Sequence, residues 1–284
     1  MKKFEKGLYI ISTPIGNRYD ITLRAISILK NSDVIVCEDT RVTKNLFKLL
    51  ELDFKDKKWL TYNDYKSDIR RNRIKKALDL NEIVSMVSDA GTPLISDPGY
   101  KLINYIREKG YKIFSIPGPC AAISSLVISG LKTDKFCFLG FLPRNKNKYV
   151  SILRNYSSLK STIIIYEKAT RINFLLNTLS SNFSTFKLVI VKELTKIYEE
   201  VIFINSKNVH TYIEKNVKLR GELTIIIEIV KDIDIIFSDK VLLIELKKLK
   251  PSQVSAMLSK KSTESREKIY KRCIELIKNE NKKN

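Results

Sequence analysis

Residues 87–99 read Val-Ser-Asp-Ala-Gly-Thr-Pro-Leu-Ile-Ser-Asp-Pro-Gly. The apolar run 83–87 leads into this stretch, and the amphipathic run 100–109 follows it. A buried strand that enters a tight loop and then a helix is the unit with which open α/β sheets bind small ligands. The stretch therefore predicts an α/β fold with a ligand at this loop.

The composition of the loop favours a cationic ligand over a phosphate. It carries two carboxylates, Asp89 and Asp97, and no Lys or Arg, and its glycines let the backbone approach a ligand closely. Neither the G-x-G-x-x-G fingerprint nor the P-loop pattern G-x-x-x-x-G-K-[ST] occurs in the chain. S-adenosylmethionine is such a ligand, because its sulfonium group carries a positive charge.

Short apolar runs alternate with helical patterns along the first 117 residues. Strands are predicted at 8–11, 34–36, 59–61, 83–87 and 113–115, with helices at 21–30, 43–50, 69–79 and 100–109. This βαβ series predicts a mostly parallel sheet with helices on both of its faces.

The rest of the chain divides into two further parts. After a Pro-Gly-Pro break at 117–119, a helix is predicted at 121–130, and later strands at 136–139, 162–166, 188–191, 201–204 and 223–230. From residue 239 onward the pattern is helical only, with turn and cap signals at 251–252 and 262–264. We expect an N-terminal α/β domain at 1–117, a second α/β domain at 118–231 and a basic helical module at 232–284.

Composition limits the class of protein. A chain of 284 residues, 44% of them hydrophobic, can bury a sizeable core. Its four cysteines form no C-x-x-C pair, and it has a single histidine, so no metal site is expected. The N-terminal residues lack an apolar signal core, and no apolar run is long enough to span a bilayer. The sequence therefore predicts a soluble, cytoplasmic protein with reduced thiols.

The net charge of +21 is typical of nucleic-acid-binding proteins, because clustered Lys and Arg neutralise phosphates. The alternative is codon bias, since 39 Lys stand against 13 Arg. The 54 residues 231–284 carry a net charge of +6, so the end of the chain is its more basic part per residue.

Three further segments carry a resemblance to a known family. Residues 9–17 read Tyr-Ile-Ile-Ser-Thr-Pro-Ile-Gly-Asn, residues 38–41 Glu-Asp-Thr-Arg, and residues 117–122 Pro-Gly-Pro-Cys-Ala-Ala. These three segments and the 88–97 loop follow one another along the chain in the same order as in the ribosomal RNA small subunit methyltransferase I family of the tetrapyrrole methylase superfamily, which the chain therefore resembles. The likeness extends from about residue 7 to residue 230, with a fainter one at Ser265, Arg266, Ile269 and Tyr270.

The resemblance implies both a fold and an activity. The fold is a pair of α/β domains of the tetrapyrrole methylase type with the cofactor cleft between them, in a homodimer. The activity is transfer of methyl from S-adenosylmethionine to the 2'-hydroxyl of a cytidine in 16S rRNA, near the decoding site of the small ribosomal subunit. The expected cofactor-binding residues are Pro14, Asp89, Ala90, Gly91, Thr92, Ile95, Cys120, Ala121, Tyr166, Leu194 and Leu223.

The expected catalytic residues are Glu38, Asp39 and Arg41, which follow the apolar run 34–36. A carboxylate there can accept the hydroxyl proton, and a cation can stabilise the developing alkoxide. The alternative is an acidic helix N-terminus with Arg41 in a surface ion pair.

The chain departs from the family at its histidines. The family usually shows Tyr-His-Glu-His-Asn where residues 62–66 read Tyr-Asn-Asp-Tyr-Lys, and a histidine where Thr170 precedes Arg171. The single histidine, His210, is predicted to lie on the surface. If the family histidines only position RNA, Asn63 and Tyr65 can take their place. If one of those histidines accepts the proton, this chain must use Asp64, Glu38 or another group.

Three classes of function remain open. The first is the rRNA methyltransferase, and the second is a tetrapyrrole methyltransferase of the same fold. The Ser-Asp-Ala-Gly-Thr-Pro loop and Glu-Asp-Thr-Arg argue against the second, because tetrapyrrole enzymes typically carry a Gly-Gly-Asp-Pro type of loop. The third is a non-enzymatic RNA- or ribosome-binding protein, which only the charge supports.

Overall fold

The first five apolar runs form one parallel sheet in a computed structural model of the protein, which describes residues 4–64, 67–216, 218–232, 236–259, 262 and 264–281. In sheet order β3-β2-β4-β1-β5, its strands are β1 (Gly7–Ile11), β2 (Val34–Cys37), β3 (Lys58–Thr61), β4 (Ile83–Val87) and β5 (Ile113–Ile116). The connecting helices are α1 (Leu23–Asn31), α2 (Thr40–Leu49), α3 (Ser67–Asp79) and α4 (Tyr100–Glu108).

Apolar side chains of this sheet pack on both of its faces. One buried cluster includes Leu29 of α1 and Phe47 of α2, and the other includes Ile74 of α3 and Leu102 of α4. The predicted parallel sheet with helices on both faces is confirmed. Because all five strands run the same way, the loops that follow β1, β2, β4 and β5 meet at one edge.

The second sheet is mixed and lies in the order β6-β7-β10-β8-β9. The β6–β7 pair is parallel, and the other three pairs are antiparallel. Its strands are β6 (Phe136–Phe141), β7 (Thr162–Lys168), β8 (Phe183–Lys192), β9 (Glu200–Asn205) and β10 (Glu222–Asp232). The helices of this half are α5 (Ala121–Ile128), α6 (Lys146–Ser157), α7 (Ile172–Asn182) and α8 (Val209–Glu214).

Alternation of isoleucines explains how β10 is covered on both faces. Ile225 and Ile227 pack with Leu153 of α6 and Leu176 of α7, whereas Ile226 packs with α5. Successive side chains of a strand point to opposite faces, so one unbroken apolar run serves two layers.

The helices α2 and α6 are instructive departures from the expectation. The helix predicted at 43–50 begins at Thr40, because the Asp39 side chain caps its N-terminus. The helix α6 begins within the polar stretch 144–148. The sequence pattern does not predict this helix, because Lys and Asn dominate its first turn. Tyr149, Val150 and Leu153 of α6 are buried, as one face of an amphipathic helix should be.

The C-terminal region is helical, as predicted, and contains α9 (Asp239–Leu246), α10 (Pro251–Leu258) and α11 (Arg266–Asn281). Leu242, Val254 and Ile269 form its buried core together with neighbouring apolar side chains. Arg272 joins the helices through hydrogen bonds to Glu264, Asp239 and the carbonyl oxygen of Phe237. Pro251 is the first residue of α10, where its missing N–H costs nothing. The predicted cap residue Thr263 lies outside the described residues.

Candidate active site

Backbone hydrogen bonds join the loop after β1 to the loop after β4. The Thr13 N–H donates to the Gly91 carbonyl oxygen over 2.9 Å, and the Gly91 N–H donates back to Thr13 over 3.1 Å. The Ser88 hydroxyl also donates to the Gly91 carbonyl oxygen, over 3.0 Å. The 88–97 loop is therefore held against residues 12–17, as their common sheet edge predicts.

The Thr92 hydroxyl connects these two loops to the Pro-Gly-Pro segment after β5. It donates to the carbonyl oxygen of Pro119 over 2.9 Å. The Ser12 and Thr92 hydroxyl oxygens lie 2.9 Å apart. A hydroxyl has one hydrogen, so Ser12 is the donor in this second contact. Three of the four segments that carry the family resemblance thus form one hydrogen-bonded unit.

The 88–97 loop has an unusual backbone. Gly91 has a φ of +81°, and Leu94 and Ser96 have φ values of +73° and +69°. Residues with a Cβ rarely adopt this left-handed region, and such conformations persist only where surrounding contacts enforce them. The loop therefore adopts a strained conformation, and its surrounding contacts hold it there at a cost in free energy.

A cavity of about 600 Å³ lies between this loop and the ends of the strands β7 and β10. Its volume is within the range of small-molecule sites. Nine of the eleven expected cofactor residues line it: Asp89, Ala90, Gly91, Thr92, Ile95, Cys120, Ala121, Tyr166 and Leu223. Two distant parts of the chain that the sequence could relate only by resemblance are therefore brought together.

Pro14 and Leu194 are not among the residues that line the cavity. Pro14 is half-buried and follows the Thr13–Gly91 pair. Leu194 is partly buried and packs on the apolar cluster that includes Leu126 and Val191. Their roles as cofactor residues remain predictions.

The cavity also contains residues that sequence reasoning did not single out. Phe141 and Lys168 contribute to its wall. Thr170, at the position where the family usually shows a histidine, lines the cavity as well. The glycine that precedes Phe141 within an apolar run is a signal of a strand irregularity that could have drawn attention to this position.

Carboxylates cluster on the side of the cavity formed by the first sheet. Asp89 and Asp97 line it, and burial together with the nearby Glu38 raises the pKa of Asp97 to about 6. Burial also raises the pKa of Asp89. The same cause, with the charges of Asp89 and Asp39, raises the pKa of Glu38. This wall disfavours anions and suits a cationic ligand.

The three expected catalytic residues lie beside the cavity and do not line it. The Asp39 N–H donates to Oδ1 of Asp89 over 3.2 Å, which connects the start of α2 to the cavity wall. Asp39 also accepts from the Arg41 N–H over 2.8 Å and binds the Arg41 guanidinium through both carboxylate oxygens. This pairing lowers the pKa of Asp39 to about 2. The contacts are those of the alternative set out above, a capped helix with a surface ion pair.

The segment with the missing histidines has a structural anchor in Asp64. Its Oδ1 accepts from the Tyr62 hydroxyl and its Oδ2 from the Gly99 N–H, both over 3.0 Å. With both oxygens engaged, Asp64 is suited to positioning α4. Tyr65, the expected substitute for a histidine, lies outside the described residues. His210 is exposed on α8, which agrees with its predicted surface position.

Close contacts between loops fix the two sheets relative to each other. A Cβ on Gly16 would lie 2.5 Å from Cγ of Lys196, and the Asn17 N–H donates to the Thr195 hydroxyl over 3.2 Å. Lys196 forms ion pairs with Glu193 and Glu222 over 3.1 and 2.9 Å. The absence of a side chain at Gly16 therefore allows the loop after β1 to approach the loop between β8 and β9.

Comparison with known proteins identifies the family. The family model of Tetrapyrrole (Corrin/Porphyrin) Methylases matches residues 7–209. Ribosomal RNA small subunit methyltransferase I of Rickettsia prowazekii is 42% identical over 226 residues, which cover 78% of each chain. The chain belongs to this methyltransferase family. The relative of the same name from Hydrogenobaculum sp. is 41% identical over 78% of this chain and 94% of its own length.

Solved structures of two other methyltransferases share the fold. The methyltransferase CobJ superposes with a TM-score of 0.57 at 12% identity, covering 79% of this chain and 95% of its own. Uroporphyrin III C-methyl transferase from Thermus thermophilus gives a TM-score of 0.53 at 17% identity, covering 77% and 96%. These likenesses confirm the tetrapyrrole methylase fold, and the enzyme class is that of a methyltransferase.

Membrane spans and metal clusters are both absent from the described residues. Among them no helix is long and apolar enough to cross a membrane. Within the same ranges no group of three or more His, Cys, Asp or Glu side chains is arranged to hold a metal ion.

The first prediction concerns Gly91 at the turn of the 88–97 loop. Gly91→Val should weaken binding of S-adenosylmethionine by more than roughly tenfold, because a Cβ there would lie 3.2 Å from the cavity residue Ile15. Titration calorimetry measures the affinity. Gly110→Val is the matched control, since Gly110 has a φ of +78° and nothing lies within 4 Å of its Cβ position. Both variants should lose about 1–2 kcal/mol of stability; unchanged affinity in a folded Gly91→Val protein contradicts the assignment.

Proposed function

We propose that this enzyme transfers a methyl group from S-adenosylmethionine to the 2'-hydroxyl of a cytidine in 16S rRNA, near the decoding site of the small ribosomal subunit. The observation that carries the proposal is the cavity between the two sheets, which the family-resembling loops line in a chain 42% identical to a ribosomal RNA small subunit methyltransferase I. A tetrapyrrole substrate has only fold-level support, at 12–17% identity.

The residues of the cavity fit S-adenosylmethionine. Gly91 leaves backbone open at the turn, and Asp89 and Asp97 place negative charge where a sulfonium is favoured. Apolar side chains such as Ile95 and Leu223 offer surface for an adenosine. When bound there, S-adenosylmethionine supplies an electrophilic methyl group for in-line displacement.

The protein must also remove the proton of the attacking hydroxyl. Glu38 is the proposed acceptor, because its raised pKa makes it a better base than an ordinary carboxylate. Asp39 is a weaker base, since Arg41 lowers its pKa to about 2. Arg41 is therefore assigned to orienting the RNA and to stabilising negative charge on the oxygen, and Asp39 to holding the Arg41 guanidinium in place. No histidine is required for these steps.

The proposal also includes the oligomeric state, the cellular location and the domain boundaries. By family resemblance we expect a homodimer, and a ribosomal substrate supports a cytoplasmic location. The division into an N-terminal domain at 1–117, a second domain at 118–231 and a C-terminal module at 232–284 accords with the two sheets and the terminal helices.

The decisive experiment is incubation with methyl-labelled S-adenosylmethionine and small ribosomal subunits from a strain that lacks the enzyme. We expect label on the ribose of one cytidine near the decoding site, and mapping by mass spectrometry of nuclease fragments locates it. Gly91→Val serves as the inactive control. Label on a base, or on no RNA at all, is the result that contradicts the proposal.

The second prediction is a pH dependence set by Asp97. Its pKa of about 6 means that the folded state binds more protons than the unfolded state between about pH 4 and 6, so its contribution to stability falls as pH rises through that window. Cofactor affinity should be constant above pH 7 and fall by up to about tenfold per pH unit below 6, since protonation removes the favourable charge.

Asp97→Asn separates these two effects. The variant should melt at an equal or higher temperature than wild type at pH 8, because the cost of a buried charge is gone, while binding S-adenosylmethionine more weakly and without the pH dependence. Asp134→Asn, at an exposed position, is the control. Wild-type affinity that stays flat down to pH 5 would show that Asp97 does not face the cofactor.

The third prediction concerns Asp39 and Arg41. Asp39→Asn keeps a capping side chain at the start of α2 and removes the charge, and Arg41→Ala removes a side chain that is 90% exposed. Each should lower the turnover number on the order of 10²-fold with little change in cofactor affinity. The Lys75–Asp79 ion pair of α3 supplies matched controls, Asp79→Asn and Lys75→Ala. Near-normal turnover in both variants would show that Asp39 and Arg41 only cap α2 and pair with each other.

The fourth prediction assigns RNA binding to the C-terminal module. A truncation ending near residue 231 should keep cofactor affinity and weaken binding to small subunits. The salt slope should decrease by roughly 0.7 to 0.9 for each RNA phosphate that the truncated protein no longer neutralises. A full-length variant with Gln at the exposed Lys240, Lys247, Lys248 and Lys250 should reproduce the change without loss of the helices. Unchanged affinity and slope in both proteins would assign the module another role.

A further inference from the structure

Phe141, the last residue of β6, is an aromatic side chain that the core does not use. It lines the cavity, yet 59% of its surface is exposed. Its ring centroid lies 5.7 Å from that of Tyr166, whose ring in turn lies 4.9 Å from Phe138. The aromatic cluster therefore extends along the cavity to Phe141, whose side chain is mostly exposed.

A local irregularity of the backbone directs Phe141 to this position. The pairing of β6 with β7 changes register between Phe138 and Phe141, and Gly140 within that interval has a φ of +59°. Such bulges bend a strand and change the direction of the next side chain. A Cβ on Gly140 would lie 3.3 Å from Oγ of Ser96, so the bulge brings β6 against the 88–97 loop.

Exposed cations follow the ring directly. Arg144, Lys146 and Lys148 occupy the segment after β6, and Lys168 at the end of β7 contributes to the cavity lining. None of the four forms an ion pair with a carboxylate of the described residues. Asp89 and Asp97 make the first-sheet wall of the cavity acidic, and Lys168 lines the opposite side next to Glu222. Because three more exposed cations follow Phe141 within seven residues, a polyanion is favoured along this segment and disfavoured at the acidic wall.

We propose that Phe141 and the cations Arg144, Lys146, Lys148 and Lys168 form the surface that captures the target nucleotide of the RNA. An unstacked base lies on the Phe141 ring, and the adjoining phosphates contact the four cations. This inference rests on the proposed function and adds to it the residues that select an unpaired nucleotide. An aromatic platform beside a basic groove is the usual way in which proteins hold single-stranded nucleic acid.

Charge argues against a second copy of this chain as the occupant of the surface. In a two-fold symmetric contact the same patch meets itself, so the cations of one copy would face those of the other. RNA offers both a base that can stack on the Phe141 ring and phosphates that can contact the cations. The surface, called here the capture rim, is therefore assigned to RNA.

The test compares Phe141→Leu, which keeps an apolar side chain and removes the ring, with Phe141→Tyr, which keeps the ring. With small ribosomal subunits as substrate, Phe141→Leu should lower kcat/KM about 5- to 150-fold, and Phe141→Tyr should retain most of it. The Kd for S-adenosylmethionine should not change in either. Phe203→Leu is the matched control, because Phe203 is 58% exposed on β9 and does not line the cavity.

The cations are tested separately by replacing Arg144, Lys146 and Lys148 together with Ala. This variant should lower the salt slope of subunit binding by roughly 2 to 3 units. The matched control replaces three exposed cations of the first half, Arg73, Lys76 and Lys109, and should leave the slope unchanged.

Four outcomes are distinguishable. If wild-type enzyme does not methylate rRNA, the proposed function fails irrespective of Phe141. If wild type is active and Phe141→Leu matches it in kcat/KM, the capture rim is wrong. The same holds if Phe141→Leu loses cofactor affinity in parallel with turnover, which makes Phe141 part of the cofactor wall. A change of oligomeric state in analytical ultracentrifugation would likewise overturn the inference and assign the rim to contact between copies.

Discussion

The reciprocal hydrogen bonds between Thr13 and Gly91 are the constraint on which the site depends. They join the loops after β1 and β4, and the Thr92 hydroxyl extends the connection to Pro119. Each of these loops would be free to move if the strands alone held it. Because the bonds use backbone groups at both ends, their geometry tolerates little adjustment, and the left-handed conformation of Gly91 follows from it.

Separation of charge is the second organising feature. A chain with a net charge of +21 nevertheless places Glu38, Asp89 and Asp97 around one end of its cavity and raises the pKa of each. Concentrating acids costs stability, and such a cost is commonly retained at functional sites. Together with the cations of the proposed capture rim, the arrangement would favour a positively charged cofactor at the acidic wall and a negatively charged substrate beside Phe141.

Local sequence was sufficient for the first sheet, because each strand and helix there has its own apolar period and its own turn residues. The helix α6 was missed, since its polar first turn masks the buried side chains that follow. The start of α2 at Thr40 does not follow from the apolar period, which begins at 43, because the Asp39 cap is a local hydrogen bond and not an apolar signal. At the site, the 88–97 loop could be recognised from its own residues. Phe141 could not, because its exposure depends on a bulge that arises only from pairing with β7.

The bulge at Gly140 has a consequence for the outer margin of the second sheet. β6 is an edge strand, and a regular edge presents unpaired N–H and C=O groups that can recruit strands from other molecules. The change of register interrupts that row before the exposed Phe141, and three cations follow within seven residues. The feature that displays an aromatic ring to solvent therefore also protects the molecule from adding strands there, so a mutation that straightens β6 would make the protein prone to aggregate.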